Sequence, residues 1–281
     1  MDLNNKNLRF GTGGVPLSAL SRDTLSGVRR ISDLGLDHME IEFVHGVRMG
    51  SEKAKEIGDL AKELDITLTI HAPYYINLNA LDPKKRAASR QRIVESCEIG
   101  EILGAKSVCF HAAFNLGQNT EQVFEMVLSE MILIEEELKK LNLENIWLAP
   151  EITGKQTQFG SLEELIALAN NLERTRLCVD FAHYFAREAG QKNNYEDFRG
   201  LLLLIKNELG LGVAKKLHMH FSGIEYSAKG ERNHLKLDHS HFNWQGMMKA
   251  LKDENIGGYM VCESPVLEED ALIAKEYYSR L

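Results

Sequence analysis

The residues of this 281-residue sequence best suited to chemistry fall at regular places. His71, His111, Glu151, Asp180 with His183, His220 and Glu263 each close a short apolar run of strand-like character. Six consecutive β-like segments thus end in a group that can bind a metal ion, a rhythm that scattered surface charges would not keep. If the strands curl into one barrel, these side chains converge on one rim. Imidazole and carboxylate without thiolate suit Zn2+ or Mn2+ better than Ca2+ or a structural zinc cage. Two or three such ions can activate water near neutral pH and stabilise the leaving oxygen of a phosphodiester. A hydrolytic metalloenzyme is the leading reading.

Each residue carries its own argument. Glu151 follows Leu148-Ala149-Pro150, and an acid closing an apolar strand needs a cation or a set of donors to be buried. Its two oxygens can bridge two ions, which makes Glu151 a catalytic candidate along with Glu263. Asp180 and His183 sit three residues apart across a strand-to-loop turn and need not serve the same ion. His218 and His220 alternate on one strand and face the same side. His220, nearer the end, is taken as the ligand and His218 as one layer deeper, with the choice open. Glu231 and His234 lie in a long polar segment and either supply a further ion together with His183 or belong to a solvated loop. His38, His45, His239 and His241 receive no role. The four cysteines, Cys97, Cys109, Cys178 and Cys262, show no CxxC spacing and read as small buried hydrophobes in a reducing compartment.

The elements that must position these groups follow from periodicity. Strand-like runs are Leu8–Gly11, Met39–Val44, Thr67–His71, Ser107–His111, Ile146–Glu151, Arg176–Asp180, Lys216–His220 and Tyr259–Glu263, and stretches of helical period separate them. Ser51–Leu64 carries a one-sided stripe of Ala54, Ile57, Leu60, Ala61 and Leu64. Ser161 with Glu164 is a capping box, and Asp82-Pro83 opens a helix that runs to Leu103. Gly104 and Gly35 stand where left-handed caps are wanted. Eight strands alternating with eight helices predict a (β/α)8 TIM barrel, a single domain over residues 1–281. A doubly wound open sheet is the rival, but it would gather two or three strand ends rather than six. Residues 72–81, 112–119, 152–160, 184–194 and 221–243 read as long loops on the functional face, the last as a substrate cover without apolar period.

Composition sets the outer bounds. Hydrophobic content of 44% and charged content of 26% fit a globular chain with ample core. No apolar run approaches the roughly 20 residues that span a bilayer. The polar start, Met1 to Arg9, reads as neither a signal nor a transit peptide, so a cytoplasmic protein without membrane contact is expected. A net charge of −8 speaks against nucleic acid at first. If several of the acids hold divalent cations, the local sign reverses, and DNA remains open as a partner.

His71-Ala72-Pro73-Tyr74-Tyr75-Ile76-Asn77-Leu78 resembles the H-x-P-Y-x-I-N-L loop of endonuclease IV-type apurinic/apyrimidinic endonucleases, family 2 of the xylose isomerase-like barrels. Val179-Asp180-Phe181-Ala182-His183 resembles that family's D-x-x-H segment, and His111, Glu151 and Glu263 match in order and spacing. The likeness covers roughly residues 8–280. It implies a trinuclear zinc site, with His71, His111 and Glu151 at one ion and Glu151, Asp180, His220 and Glu263 at a second. His183 with Glu231 and His234 would hold the third. It implies hydrolysis of double-stranded DNA 5′ to an abasic site by a monomer, with Tyr74 against the lesion and Asn77 and Arg48 as phosphate contacts. Two segments depart from the family pattern. His218-Met219-His220-Phe221-Ser222-Gly223 replaces H-x-N-D-[AS]-K, and Glu231-x-x-His234 replaces D-x-H. A metal-dependent sugar isomerase or epimerase on the same barrel is the alternative, and a non-catalytic binding module a third.

Overall fold

The computed structural model describes residues 8–281, so the polar start up to Asn7 lies outside the described residues. Eight parallel strands form the barrel: β1 (Leu8–Gly13), β2 (His38–Glu42), β3 (Thr67–His71), β4 (Ser107–Phe110), β5 (Trp147–Pro150), β6 (Cys178–Asp180), β7 (Leu217–Phe221) and β8 (Gly258–Cys262). Their hydrogen-bonded order is β5-β4-β3-β2-β1-β8-β7-β6. Parallel bridges from Leu148 to Thr175 and from Glu151 to Cys178 join β5 to β6 and close the ring. Closure removes the open-sheet rival, because a ring has no switch point and all strand ends meet at one mouth.

Alternation along the strands splits the side chains into two environments. One set, including Phe10, Met39, Ile41, Leu68, Ile70, Val108, Phe110, Leu148, Val179, Leu217, Met219 and Met260, packs under the helices as the main apolar core. The other set faces the barrel axis, and it is largely polar: His38 and Glu40, Thr69 and His71, Asp180, His218 and His220 are all buried. Cys109, Ala149 and Cys178 form a small apolar cluster of their own inside this ring. The usual filling of such barrels by branched aliphatic layers is therefore replaced by hydrogen-bonding groups.

Local signals place the helices as expected. Ser161 and Glu164 make a reciprocal capping box. Asp82 accepts from the Lys84 amide, Pro83 opens the helix Pro83–Leu103, and Gly104 ends it at φ +68°. The helix Ser51–Glu63 buries Ala54, Ile57, Leu60 and Ala61. Among the described residues no helix is long and apolar enough to cross a membrane.

Three expectations are corrected. The described residues form ten helices rather than eight, because the link from β6 to β7 holds three: Phe181–Arg187, Tyr195–Leu209 and Leu211–Ala214. The first occupies the start of the segment read as a 184–194 loop. The Asp180 carboxylate accepts from the His183 amide at 2.6 Å, so Asp180 caps that helix, and Phe181 and Phe185 bury its apolar side. Residues 221–243 are no shapeless cover, since Gly223–Ser227 and Gly230–Leu235 pair as an antiparallel hairpin with a bulge at Glu225/Tyr226. Ile224 and Tyr226 alternate with Glu225 and Ser227 and pack on the core, a period of two too short to stand out in a polar segment. The segments 112–119 and 152–160 also pair, through Ala113–Phe114 and Gln158–Phe159.

Gly11 on β1 has no room for a side chain, since an added Cβ would lie 1.8 Å from the His38 carbonyl oxygen. Gly35 at φ +69° faces open space, so its demand is conformational only. Gly11→Ala is expected to cost about 3 kcal/mol or more by forcing β1 from β2, and Gly35→Ala about 1 kcal/mol. Urea unfolding midpoints at unchanged slope measure both, and equal losses would contradict the close-approach argument.

Candidate metal centre

Glu151 stands at the middle of the barrel mouth with 1% of its side chain exposed. Its two oxygens serve different neighbours. Oε2 lies 3.3 Å from His71 Nε2 and 3.1 Å from His111 Nε2, and accepts the Cys109 thiol at 3.3 Å. Oε1 lies 3.0 Å from His183 Nδ1 and 3.5 Å from His220 Nδ1. Burial works to raise the Glu151 carboxyl, but the charges of His111 and His220 hold it well below the usual range.

Asp180 and Glu263 meet His220 on the second side. His220 Nδ1 is 3.5 Å from Glu263 Oε1 and 4.0 Å from Asp180 Oδ2. Burial lifts the Asp180 carboxyl to about 6, whereas Glu263, half-buried and facing His220, falls to about 2. A third group lies toward the hairpin, where His183 Nε2 is 3.1 Å from Glu231 Oε2 and the His183 and His234 rings are 5.6 Å apart. The hairpin is fixed over the mouth by the Glu231 amide, which donates to the Gly154 carbonyl at 3.0 Å. His111 and His234, each 30% exposed, mark the open side of the site.

The histidine rings are oriented for ligation through their other nitrogens. His71 Nδ1 contacts the Ala72 carbonyl at 2.9 Å, His183 Nδ1 that of Ile152 at 3.1 Å, and His234 Nδ1 that of Glu263 at 3.1 Å. Each ring donating in that way leaves its Nε2 lone pair for the site. His220 is reversed, with Nε2 3.0 Å from Glu40 Oε1 and Nδ1 turned toward the acids. His220 Nδ1 and Asp180 Oδ2 are buried atoms without a hydrogen-bond partner. Orphaned acceptors of this kind are costly unless a cation is present. The donor set of imidazoles and carboxylates fits first-row divalent ions, and Glu151, Asp180, His220 and Glu263 converge closely enough for one of them.

His218 lies one layer below His220, joined to Glu40 Oε2 at 2.6 Å and to Ser107 Oγ at 3.0 Å. Tyr74 sits at the rim, 59% exposed, its ring edge-on to His71 at 5.8 Å. Asn77 behaves differently from a free phosphate contact. Its Oδ1 accepts from the amides of Asn79 at 3.0 Å and Phe114 at 3.2 Å, so it fastens two loops. Arg48 lines a cavity of about 380 Å³ that Glu42 and His45 share.

Two site acids escaped the sequence reading. Glu40 is fully buried, holds His218 and His220, and accepts the Thr69 hydroxyl at 2.7 Å. Glu42 lies at the end of β2 with Oε1 buried and unpartnered, and burial lifts its carboxyl to about 8 against the pull of His71. The available signal was the alternation His38-Met39-Glu40-Ile41-Glu42, the same device as His218-Met219-His220. Cys109, read as a plain hydrophobe, also belongs to the site as a thiol donor to Glu151. All four cysteines are free and buried.

Removing the Glu40 charge weakens the acceptor that turns His220 Nδ1 to the site. Glu40→Gln is expected to weaken binding of the ion nearest His220 by about 10–100-fold, with the fold retained. Competitive zinc titration with circular dichroism checks this, and unchanged affinity would remove Glu40 from its supporting role.

The model of the xylose isomerase-like TIM barrel family matches residues 28–279. An uncharacterized protein of Methanocaldococcus jannaschii is 40% identical over 274 residues, 98% of each chain. A protein named probable endonuclease 4, from Akkermansia muciniphila, is 25% identical over 202 residues, covering 68% of this chain and 70% of its own. Two solved structures align almost equally well. A D-tagatose 3-epimerase-like protein gives a TM-score of 0.72 at 18% identity, covering 96% of each chain. Endonuclease IV from Thermus thermophilus gives 0.71 at 19%, covering 96% of this chain and 100% of its own. The barrel architecture is common to both and does not separate them. By the extent of the family match and the identity with the archaeal protein, the chain belongs to the xylose isomerase-like TIM barrel family.

Proposed function

We propose that the protein is a metal-dependent phosphodiesterase of the endonuclease IV type, which hydrolyses double-stranded DNA 5′ to an abasic site. The observation that carries this reading is the division of the Glu151 carboxylate, one oxygen toward His71 and His111 and the other toward His183 and His220. A carboxylate placed so can join two ion positions. His71, His111 and Glu151 would hold one ion, and Glu151, Asp180, His220 and Glu263 a second. His183, Glu231 and His234 would hold a third. Zinc best suits this donor set, with manganese as a substitute. When bound, such ions supply Lewis-acid charge for a phosphodiester's oxygens.

The rest of the work falls to the chain. Burial of Glu151 and Asp180 keeps their oxygens free of competing water. The carbonyl contacts to His71, His183 and His234 keep the rings from turning. The open side between His111 and His234 admits an extended substrate, and the exposed Tyr74 ring offers a stacking face of a kind worth about 1–3 kcal/mol per base. The relatives named probable endonuclease 4 support the same reading at the level of sequence.

A sugar 3-epimerase is the second reading, favoured by solved structures such as that of D-psicose 3-epimerase. His71, His111, Glu231 and His234 exceed the ligands a single-ion epimerase site needs.

A duplex oligonucleotide with one tetrahydrofuran abasic analogue separates the two. Incision that a chelator abolishes is expected. Intact DNA together with epimerisation of a ketose would overturn the nuclease reading. Glu151→Gln is expected to abolish incision and lower bound metal while circular dichroism stays unchanged, and wild-type turnover in that variant would refute its bridging role.

A further inference from the structure

The end of the barrel opposite the candidate metal centre carries a feature the proposed reaction does not use. A cavity of about 270 Å³ opens at the N-terminal ends of β4, β5, β7 and β8. Arg176, Lys106 and Lys216 line it with Trp147 and Tyr259, and the buried Ser107 and His218 reach it from inside the barrel. Among the described residues no carboxylate lines it.

This concentration of positive charge stands out in a chain of net charge −8. Elsewhere in the molecule, basic side chains commonly meet acids, as Arg9 does Asp65 and Lys206 does Glu254. The guanidinium of Arg176 instead lies over the Trp147 ring, 3.5 Å from its centroid. Its Nε is buried without a hydrogen-bond partner, and burial depresses its pKa. The aromatic ring fixes the guanidinium plane without satisfying the Nε donor.

We propose that this cavity binds a small phosphoryl anion, a phosphomonoester or phosphate, at a site distinct from the metal centre. The forked donors of Arg176 match the oxygens of such a group, and the two lysines supply mobile point charges around it. Three positive charges suit a dianion better than a single carboxylate. Trp147 and Tyr259 give apolar walls for an attached organic part. The site works without the ions at the other mouth and does not depend on the reaction proposed for them.

The test is calorimetric titration of inorganic phosphate into the full chain stripped of metal. Saturable one-to-one binding is expected, weakened by about tenfold for each charge removed in Lys106→Gln, Lys216→Gln and Arg176→Gln. The lysines are exposed, so their double variant keeps the fold even where the arginine variant does not. His111→Gln with His234→Gln, at the opposite mouth, is expected to leave the titration unchanged. Absence of saturable binding would overturn the proposal. So would binding indifferent to the lysine pair, or binding lost with the histidine pair.

Discussion

The molecule is organised around a carboxylate buried where the strands meet. Glu151, with almost no contact with solvent, must keep its charge among groups that balance it. Four imidazoles and a thiol approach its two oxygens. Two of those imidazoles are held at their far nitrogens, His71 by the Ala72 carbonyl and His220 by the second acid, Glu40. A polar interior of this kind tolerates little slack, because a half-satisfied network costs more than an apolar one. The ring closure of the sheet supplies the rigidity. It keeps residues from β3, β5, β6, β7 and β8 in one place although 192 positions separate His71 from Glu263 (263 − 71).

The fold was legible because apolar runs and helical stripes alternate regularly, and capping residues such as Asp82, Ser161 and Gly104 mark the turns between them. The rim residues were legible for a related reason. A charged group at the end of an apolar run is an anomaly that calls for a partner. Glu40 and Glu42 were not, because His38–Glu42 alternates like a half-exposed strand, and only closure of the barrel turns its polar side inward. The helix after Asp180 was missed since the acid was read for its charge alone. As the structure has it, the same carboxylate holds the His183 amide and leaves Oδ2 to the site. One residue serving two purposes hides the lesser one.

Fold likeness carries the argument to the barrel family and no further. An epimerase-like protein and an endonuclease IV overlay this chain to nearly the same degree, as expected when eight strands and their covering helices dominate the comparison. The reaction is decided by a few groups at one mouth. His71 and His111 come from strands whose neighbours are fixed by the ladder, so their positions follow from the fold. Glu231 and His234 do not come from the barrel at all.

Those last two arrive on the hairpin Gly223–Leu235, which leaves and rejoins the chain at a single corner and rests on Gly154. It meets the barrel's strand ends through His234, whose Nδ1 lies 3.1 Å from the Glu263 carbonyl. Its polar edge, with Glu231 and His234, faces the mouth, while Ile224 and Tyr226 tie its first strand into the core. One short hairpin thus has two allegiances, its apolar side chains anchored in the core and its polar ones carried over the Glu151 centre.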